Sequence, residues 1–402
     1  MPIIRKRSPG PSGRAHEVFL VALRLGLTSF GGPVAHLGYF RREYVERRHW
    51  LDEARYAELV GLCQFLPGPA SSELGIAIGL TRAGLAGGLA AWLGFTLPSA
   101  IALTLFATVV RRGGLLAPGP FHGLQIAAVA VVAQAVWSMA RTLAPDRARG
   151  TMAIGAAVAA LLVPTPATQV AIIAAAAVLG WRVLAVTPVT QATLTVRVDR
   201  RLATGAGVLF LALLLGLPLV RHFVPAQPIA LVDSFYRAGA LVFGGGHVVL
   251  PLLQAAVVPP GWVSNAQFLA GYGAAQAVPG PLFTFAAYLG AVERPDPHGA
   301  LGAVLALIAI FLPGFLLVVA TLPLWGALRG RPAVGAALRG VNAAVVGLLL
   351  AALYNPVWTS AIRRPADAAL AMVAFALLAL WAAPPWLVVT FTVVGGAVLA
   401  HV

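Results

Sequence analysis

Two proline-glycine-proline triplets, Pro67-Gly68-Pro69 and Pro279-Gly280-Pro281, stand inside hydrophobic stretches, and a glutamine precedes each, Gln64 and Gln276. Proline has no backbone donor and clashes with the preceding turn, so each triplet should stop one helix and start another. The helix that starts there points free N–H groups into the break. Such an end carries roughly half a positive charge and binds anions without a lysine. Ser71 and Ser72 lie in the first turn after the first triplet, and Thr284 aligns with Ser72 after the second. Hydroxyls and the Gln64 and Gln276 amides can therefore donate to the same space. One triplet alone reads as a kink in a packed helix. Two in register, each with an amide before and hydroxyls after, read as an anion-binding site, because paired breaks in hydrophobic segments mark transporter sites.

Further residues join the pattern. Gly31-Gly32 and Gly244-Gly245 permit either an anion-binding nest of backbone N–H groups or close helix packing, and the sequence leaves both open. Arg24 and Arg237 precede those glycines at equivalent places in apolar surroundings. An arginine at such a depth is a functional candidate unless it snorkels to an interface. His36, His247 and Glu73 lie beside the motifs and are candidates for carrying a coupled proton. His-Glu-x-x-His, Walker A, Cys-x-x-Cys and Gly-x-Ser-x-Gly patterns are missing, which argues against an enzyme and against ATP drive. Cys63 is the only cysteine, so no intramolecular disulfide, thiolate cluster or other metal site is expected, and no cofactor motif appears.

These residues are held by a chain that repeats itself. Phe30-Gly31-Gly32-Pro33, Trp50 and Gln64 to Pro69 return as Phe243-Gly244-Gly245-Gly246, Trp262 and Gln276 to Pro281; Arg24-x-Gly26 returns as Arg237-x-Gly239, and Phe95-Thr-Leu-Pro98 as Ile310-Phe-Leu-Pro313. With 59% hydrophobic and 10% charged residues, a soluble core cannot hide the apolar surface, and a polytopic all-α membrane protein is expected. Runs long enough to span a bilayer include 85–110, 124–140, 202–220, 301–324 and 336–353; shorter ones cover 152–163, 169–186, 366–381 and 385–399, giving about 12 to 13 apolar segments. No cleavable signal peptide is apparent. The division expected is a half at 1–186, a linker at 187–230 with one transmembrane segment, and a second half at 231–402. One extra crossing between halves of even crossing number inverts the second half. Residues 41–55 hold five arginines and read as a connecting loop, whereas 251–267 hold no lysine or arginine, which places the first inside and the second outside. Arg5, Lys6 and Arg7 also favour the inside, so the first element should be broken and re-entrant at Gly31-Gly32-Pro33. Arg141, Arg147, Arg149, Arg197, Arg200 and Arg201 fit this topology less tidily. The net charge of +15 is almost all arginine in short loops, which anchors loops at a bilayer and does not call for nucleic acid.

At these motifs the chain resembles the chromate ion transporter superfamily in its long, two-domain form. The resemblance rests on Phe30-Gly-Gly-Pro-x-Ala-His36, Arg41-Arg-Glu-Tyr-Val-Glu-Arg-Arg-His-Trp50-Leu, Gln64-Phe-Leu-Pro-Gly-Pro69-Ala-Ser-Ser72, Phe243-Gly-Gly-Gly-His247-Val-Val-Leu-Pro251 and Ala277-Val-Pro-Gly-Pro281, and it covers both halves. It implies a bacterial inner-membrane protein that exports chromate on the proton-motive force, with two homologous domains of opposite orientation. Glu73 departs from the pattern, where a neutral residue such as glutamine is expected. The residues by themselves suit any tetrahedral dianion, so a sulfate or other oxyanion transporter is the alternative. Expected partners are the anion, protons and lipid. Two complete halves permit a working monomer, while a Gly-rich face leaves homo-oligomers open.

Overall fold

The computed structural model describes residues 11–112, 117–184, 199–326 and 331–401. Arg5, Lys6, Arg7 and Arg197 lie outside the described residues. Every regular element among these residues is helical: α1 (Pro11–Thr28), α2 (Gly32–Phe40), α3 (Glu53–Phe65), α4 (Ala70–Arg111), α5 (Pro118–Leu143), α6 (Arg147–Leu162), α7 (Pro166–Val183) and α8 (Arg200–Phe223) come first. Then follow α9 (Gln227–Leu241), α10 (Val249–Val257), α11 (Asn265–Ala277), α12 (Phe285–Val292), α13 (Gly299–Thr321), α14 (Pro332–Ala352), α15 (Pro365–Ala379) and α16 (Pro385–Leu399). Six helical stretches are long and apolar enough to cross a membrane: Ala70–Arg111, Pro118–Leu143, Pro166–Val183, Arg200–Phe223, Gly299–Leu324 and Pro332–Ala361. Four shorter apolar helices accompany them. The protein is a multi-pass membrane protein.

The repeat is visible in the local chemistry. Asp52 caps α3 by accepting from the Arg55 N–H at 2.8 Å, and Ser264 caps α11 in a reciprocal box with Gln267. Each of these helices stops before its proline triplet, at Phe65 and Ala277. The α4 helix is bent at Ala83 and Gly84 into two arms, which correspond to α12 and α13. Glycines make the matching helix contacts. A Cβ on Gly26 would lie 2.6 Å from the Phe95 carbonyl oxygen, and one on Gly239 would lie 2.1 Å from that of Ile310. So α1 rests on the second arm of α4 as α9 rests on α13.

The halves are interleaved. Helix α5 packs on α15 and α16, while α14 packs on α6 and α7. A Cβ on Gly123 would meet the Thr392 carbonyl at 2.3 Å, and one on Gly340 the Ala176 carbonyl at 2.1 Å. The main apolar core accordingly mixes Leu103, Ile126 and Val132 with Phe268, Phe285, Ile310 and Val345. Helix α8 stands outside, against α9 and α13, with Leu211, Leu215 and Leu219 exposed.

The segment 41–55 is not a plain loop. Residues Arg41–Arg47 continue α2 as a wide helical turn, and 53–55 open α3. Ion pairs hold it in place: Arg41 with Glu46 and Glu53, and Glu43 with Arg47 and Arg48. Glu17 of α1 accepts from Arg48 at 3.5 Å and from Arg82 at 3.2 Å, and both guanidinium groups lie over the Trp50 ring.

Candidate functional site

The two proline triplets cross over to the opposite halves. Gly68 N–H donates to the Val242 carbonyl at 2.7 Å, and Gly280 N–H donates to the Ser29 carbonyl at 2.9 Å. Val242 and Ser29 are the residues just before Phe243-Gly244 and Phe30-Gly31. Each triplet therefore docks on the place where the other half breaks its first helix. Gly68 has φ +143° and Gly280 +104°, values that side-chain-bearing residues rarely adopt. Beneath Gly68 lies Gly314 of α13, and a Cβ on Gly280 would meet Ser99 Oγ of α4 at 2.9 Å. Ser99 and Gly314 hold the same repeat position, each directly after the proline of its repeated motif, Pro98 or Pro313. The arrangement is reciprocal, as in a two-fold interface between identical surfaces.

The polar atoms around this crossing are poorly served by the protein. Ser29 Oγ, Ser72 Oγ, Thr96 Oγ1, Gln276 Nε2 and both Glu73 oxygens are buried with no hydrogen-bond partner. Buried polar groups are normally bonded, so a cluster of such atoms needs explaining, and a bound hydrophilic group would supply the missing partners. Glu73 is fully buried on the first turn of α4, and a Cβ on Gly68 or Gly314 would approach its Oε1 to 2.1 or 2.8 Å. Ser71 is buried beside it. Thr284 Oγ1 instead donates back to the Pro281 carbonyl at 2.7 Å.

A cavity of about 380 Å³ opens at the second triplet's side of the crossing. Gly31 and Gly32 from the first half line it together with Gln276 and His247 from the second; Gln134 of α5 and the start of α16 complete it. Both glycines have left-handed backbones, φ +98° and +76°. His247 Nδ1 is 2.7 Å from the Tyr272 hydroxyl. His36 is buried with its ring edge-on to Phe95.

Other residues singled out by sequence lie elsewhere. Gln64 is exposed on α3, and Arg24 is exposed on α1. Arg237 is ion-paired with Asp233, one turn earlier on α9. Gly244 faces Leu143 and Asn342, and a Cβ on Gly245 would meet open space. Pro67, Pro69, Pro279 and Pro281 lie between helices: α3 and α11 end before them and new helical turns begin at Ala70 and Leu282. Sequence reasoning missed Ser29, Ser99 and Gly314. The signal for the last two was the repeated Leu-Pro pair, one residue further on.

The comparisons with known proteins agree with the repeat. The chromate transporter family model matches residues 16–181 and again 229–399. The chain belongs to the chromate transporter family. It is 30% identical over 307 residues to a chromate transport protein of Pseudomonas aeruginosa, covering 74% of this chain and 70% of that one. It is 29% identical over 373 residues to a chromate transport protein of Cupriavidus metallidurans, covering 92% and 88%. An uncharacterized transporter of Methanocaldococcus jannaschii is 24% identical over 326 residues, covering 78% and 77%. No solved structure matches the chain. The family is one of transporters, not enzymes.

Proposed function

We propose that the protein exports chromate from the cytoplasm across the bacterial inner membrane, driven by the proton-motive force, and so confers chromate resistance. The observation that carries this reading is the reciprocal crossing of the two Pro-Gly-Pro breaks, with unpartnered donors around it and a cavity lined by Gly31, Gly32, His247 and Gln276 beside it. Paired helix breaks meeting at the interface of two repeats are where secondary transporters commonly build a midplane substrate site, and that supports the reading. Support for an inverted arrangement comes from the arginine contrast between residues 41–55 and 251–267, and from α8 as the odd crossing between 1–186 and 231–402. Relatives named as chromate transport proteins supply the substrate. Gly31, Gly32 and Gln276 bind the anion, and His247, His36 and Glu73 are the groups available for proton coupling.

Inverted membrane vesicles should take up labelled chromate when a pH gradient is imposed, and cells carrying the gene should accumulate less chromate than controls. Equal accumulation and no vesicle uptake would remove the export reading. A second reading is sulfate or another oxyanion, favoured by the neutral donors at the crossing, which cannot separate isosteric dianions strongly. Full suppression of chromate uptake by excess sulfate would select it.

A further inference from the structure

The second half carries a charge cluster that its repeat lacks. Asp233 of α9 is fully buried, and its Oδ2 accepts from Arg237 of the same helix and from Arg221 at the end of α8 at 3.1 Å. Arg221 also donates to Ser234 Oγ at 3.3 Å. Leu20 and Val21 stand at the equivalent places of Asp233 and Ser234 in the first half, so the repeat does not demand this cluster. Two guanidinium groups facing one carboxylate leave a formal charge of +1. Each guanidinium has five N–H donors, and one carboxylate oxygen cannot satisfy them. Arg237 Nε is buried with no partner.

Both arginines and Ser234 line a cavity of about 510 Å³. Thr165 and Pro166, at the start of α7, an 18-residue helix, line it as well. Thr165 caps that helix by accepting from the Thr168 N–H at 3.1 Å, and the end adds a positive dipole to the cavity. Two planar donor forks, a hydroxyl and a helix start thus converge on one space. We infer that this cavity binds a tetrahedral oxyanion at the α8–α9 end of the molecule, apart from the crossing of the two breaks.

The inference rests on the oxyanion reading and extends it to one face. Pro260, on the segment free of lysine and arginine, also lines the cavity, which puts the site at the end assigned to the outside. There it receives the anion on release. Asp233 is then a resident competitor for the arginines, and this makes an opposite-sign prediction. If the arginines only neutralise a structural aspartate, removing its charge gains nothing. If they form an oxyanion site, Asp233→Asn frees donors and tightens binding.

The test is equilibrium binding of labelled sulfate and labelled chromate to the purified full chain in detergent. Arg221→Gln should weaken binding at one class of site by about tenfold, the loss of one charge-assisted contact. Asp233→Asn should strengthen it several-fold, and Ser234→Ala should weaken it slightly, which keeps the test alive if the aspartate variant does not fold. Unchanged affinity in Arg221→Gln and Ser234→Ala overturns the inference, as does a folded Asp233→Asn variant without tighter binding. A phospholipid phosphate has the same chemistry, so binding is repeated in phosphatidylcholine nanodiscs with and without phosphatidylglycerol. Equal sulfate affinity in both supports a site for the free anion. Loss of sulfate binding with phosphatidylglycerol in the wild type, but not in Arg221→Gln, assigns the cavity to lipid and overturns it. Binding with these variant effects but without flux would remove the export reading alone, and flux with unaltered binding in the variants would remove this inference alone.

Discussion

The two proline-glycine-proline breaks share a backbone and differ in what surrounds it. Both glycines are left-handed, both donate across to the other half, and both rest on the residue after a repeated Leu-Pro pair. At the first break Gly68 and Pro69 are buried, and Glu73 lies against Gly68 and Gly314. At the second, Phe285 takes the place of Glu73, Ser99 takes the place of Gly314, and Gln276 opens onto a cavity. The repeat thus preserves the backbone that makes a crossing possible and varies the side chains that decide what the crossing holds. One break offers an acid in a closed space, the other neutral donors in an open one.

Substituting the glycines tests the shared part and carries the largest expected effect. Gly68→Ala and Gly280→Ala each place a side chain in a backbone region that costs about 1–3 kcal/mol. Each also disturbs the bond to the opposite half. Both should lower chromate flux in vesicles by roughly tenfold or more, in keeping with the sensitivity of positioned sites to small displacements. Gly68→Ala should be the worse, because its new Cβ also displaces the Glu73 carboxyl. Wild-type flux in either variant would mean that the reciprocal contact is ornamental to transport.

Glu73→Gln tests the part that differs. The amide keeps the size of the side chain and removes the one carboxyl at the first break. An ionised Glu73 would oppose a dianion, so wild-type flux should fall as pH rises, and the variant should keep the acid-pH rate while losing most of that fall. A pH profile identical to wild type would assign the coupling to His36 or His247 instead.

How far these differences could be read in advance depends on the kind of residue. Proline and glycine act on their own backbone, so the breaks at 67–69 and 279–281 and the turn at Gly31-Gly32 were legible from the chain alone. The matched repeat then announced two halves. What could not be read was the exchange between them. Nothing in the spacing of Gly123 or Gly340 says that α5 packs on α16 and α14 on α7, because small residues permit a close partner without naming it. The two repeated arginines part company for a related reason. Arg24 and Arg237 hold equivalent positions, but a long side chain follows its local partners: Arg237 turns to Asp233, which the first half lacks, and Arg24 stays exposed. Residues 41–55 were too polar to look helical by hydrophobic period, yet 41–47 and 53–55 are helical, with local ion pairs from Arg41 to Glu46 and from Arg48 to Glu43 and a long-range one from Arg48 to Glu17.

The smallest effect concerns the ends of the repeated hairpins, where the halves differ again. In the first half, Glu17 is shared by Arg48 and Arg82 near the Ala83–Gly84 bend. In the second, Glu293 follows α12 and is buried, with Gln227 donating to Oε2 at 3.4 Å and Oε1 without a partner. Arg111 approaches only its backbone, donating to the Glu293 carbonyl at 3.3 Å. Burial pushes the Glu293 carboxyl up to about 8 from an ordinary value of 4.5, against the smaller opposing effect of the Gln227 hydrogen bond. The folded protein then holds a proton that the unfolded chain releases, so stability falls as pH rises from about 4.5 through about 8. Glu293→Gln removes this slope, since the amide donates or accepts without titrating. Thermal unfolding of the detergent-solubilised protein should show the variant matching wild type in acid and exceeding it by a few degrees in mild alkali, since the displaced carboxyl is worth several kcal/mol and each kcal/mol moves the midpoint of a chain this long by about one degree. Parallel melting curves across the whole range would mean that Glu293 is solvated in the membrane-bound protein, and the contrast between the two hairpin ends would then be one of sequence only.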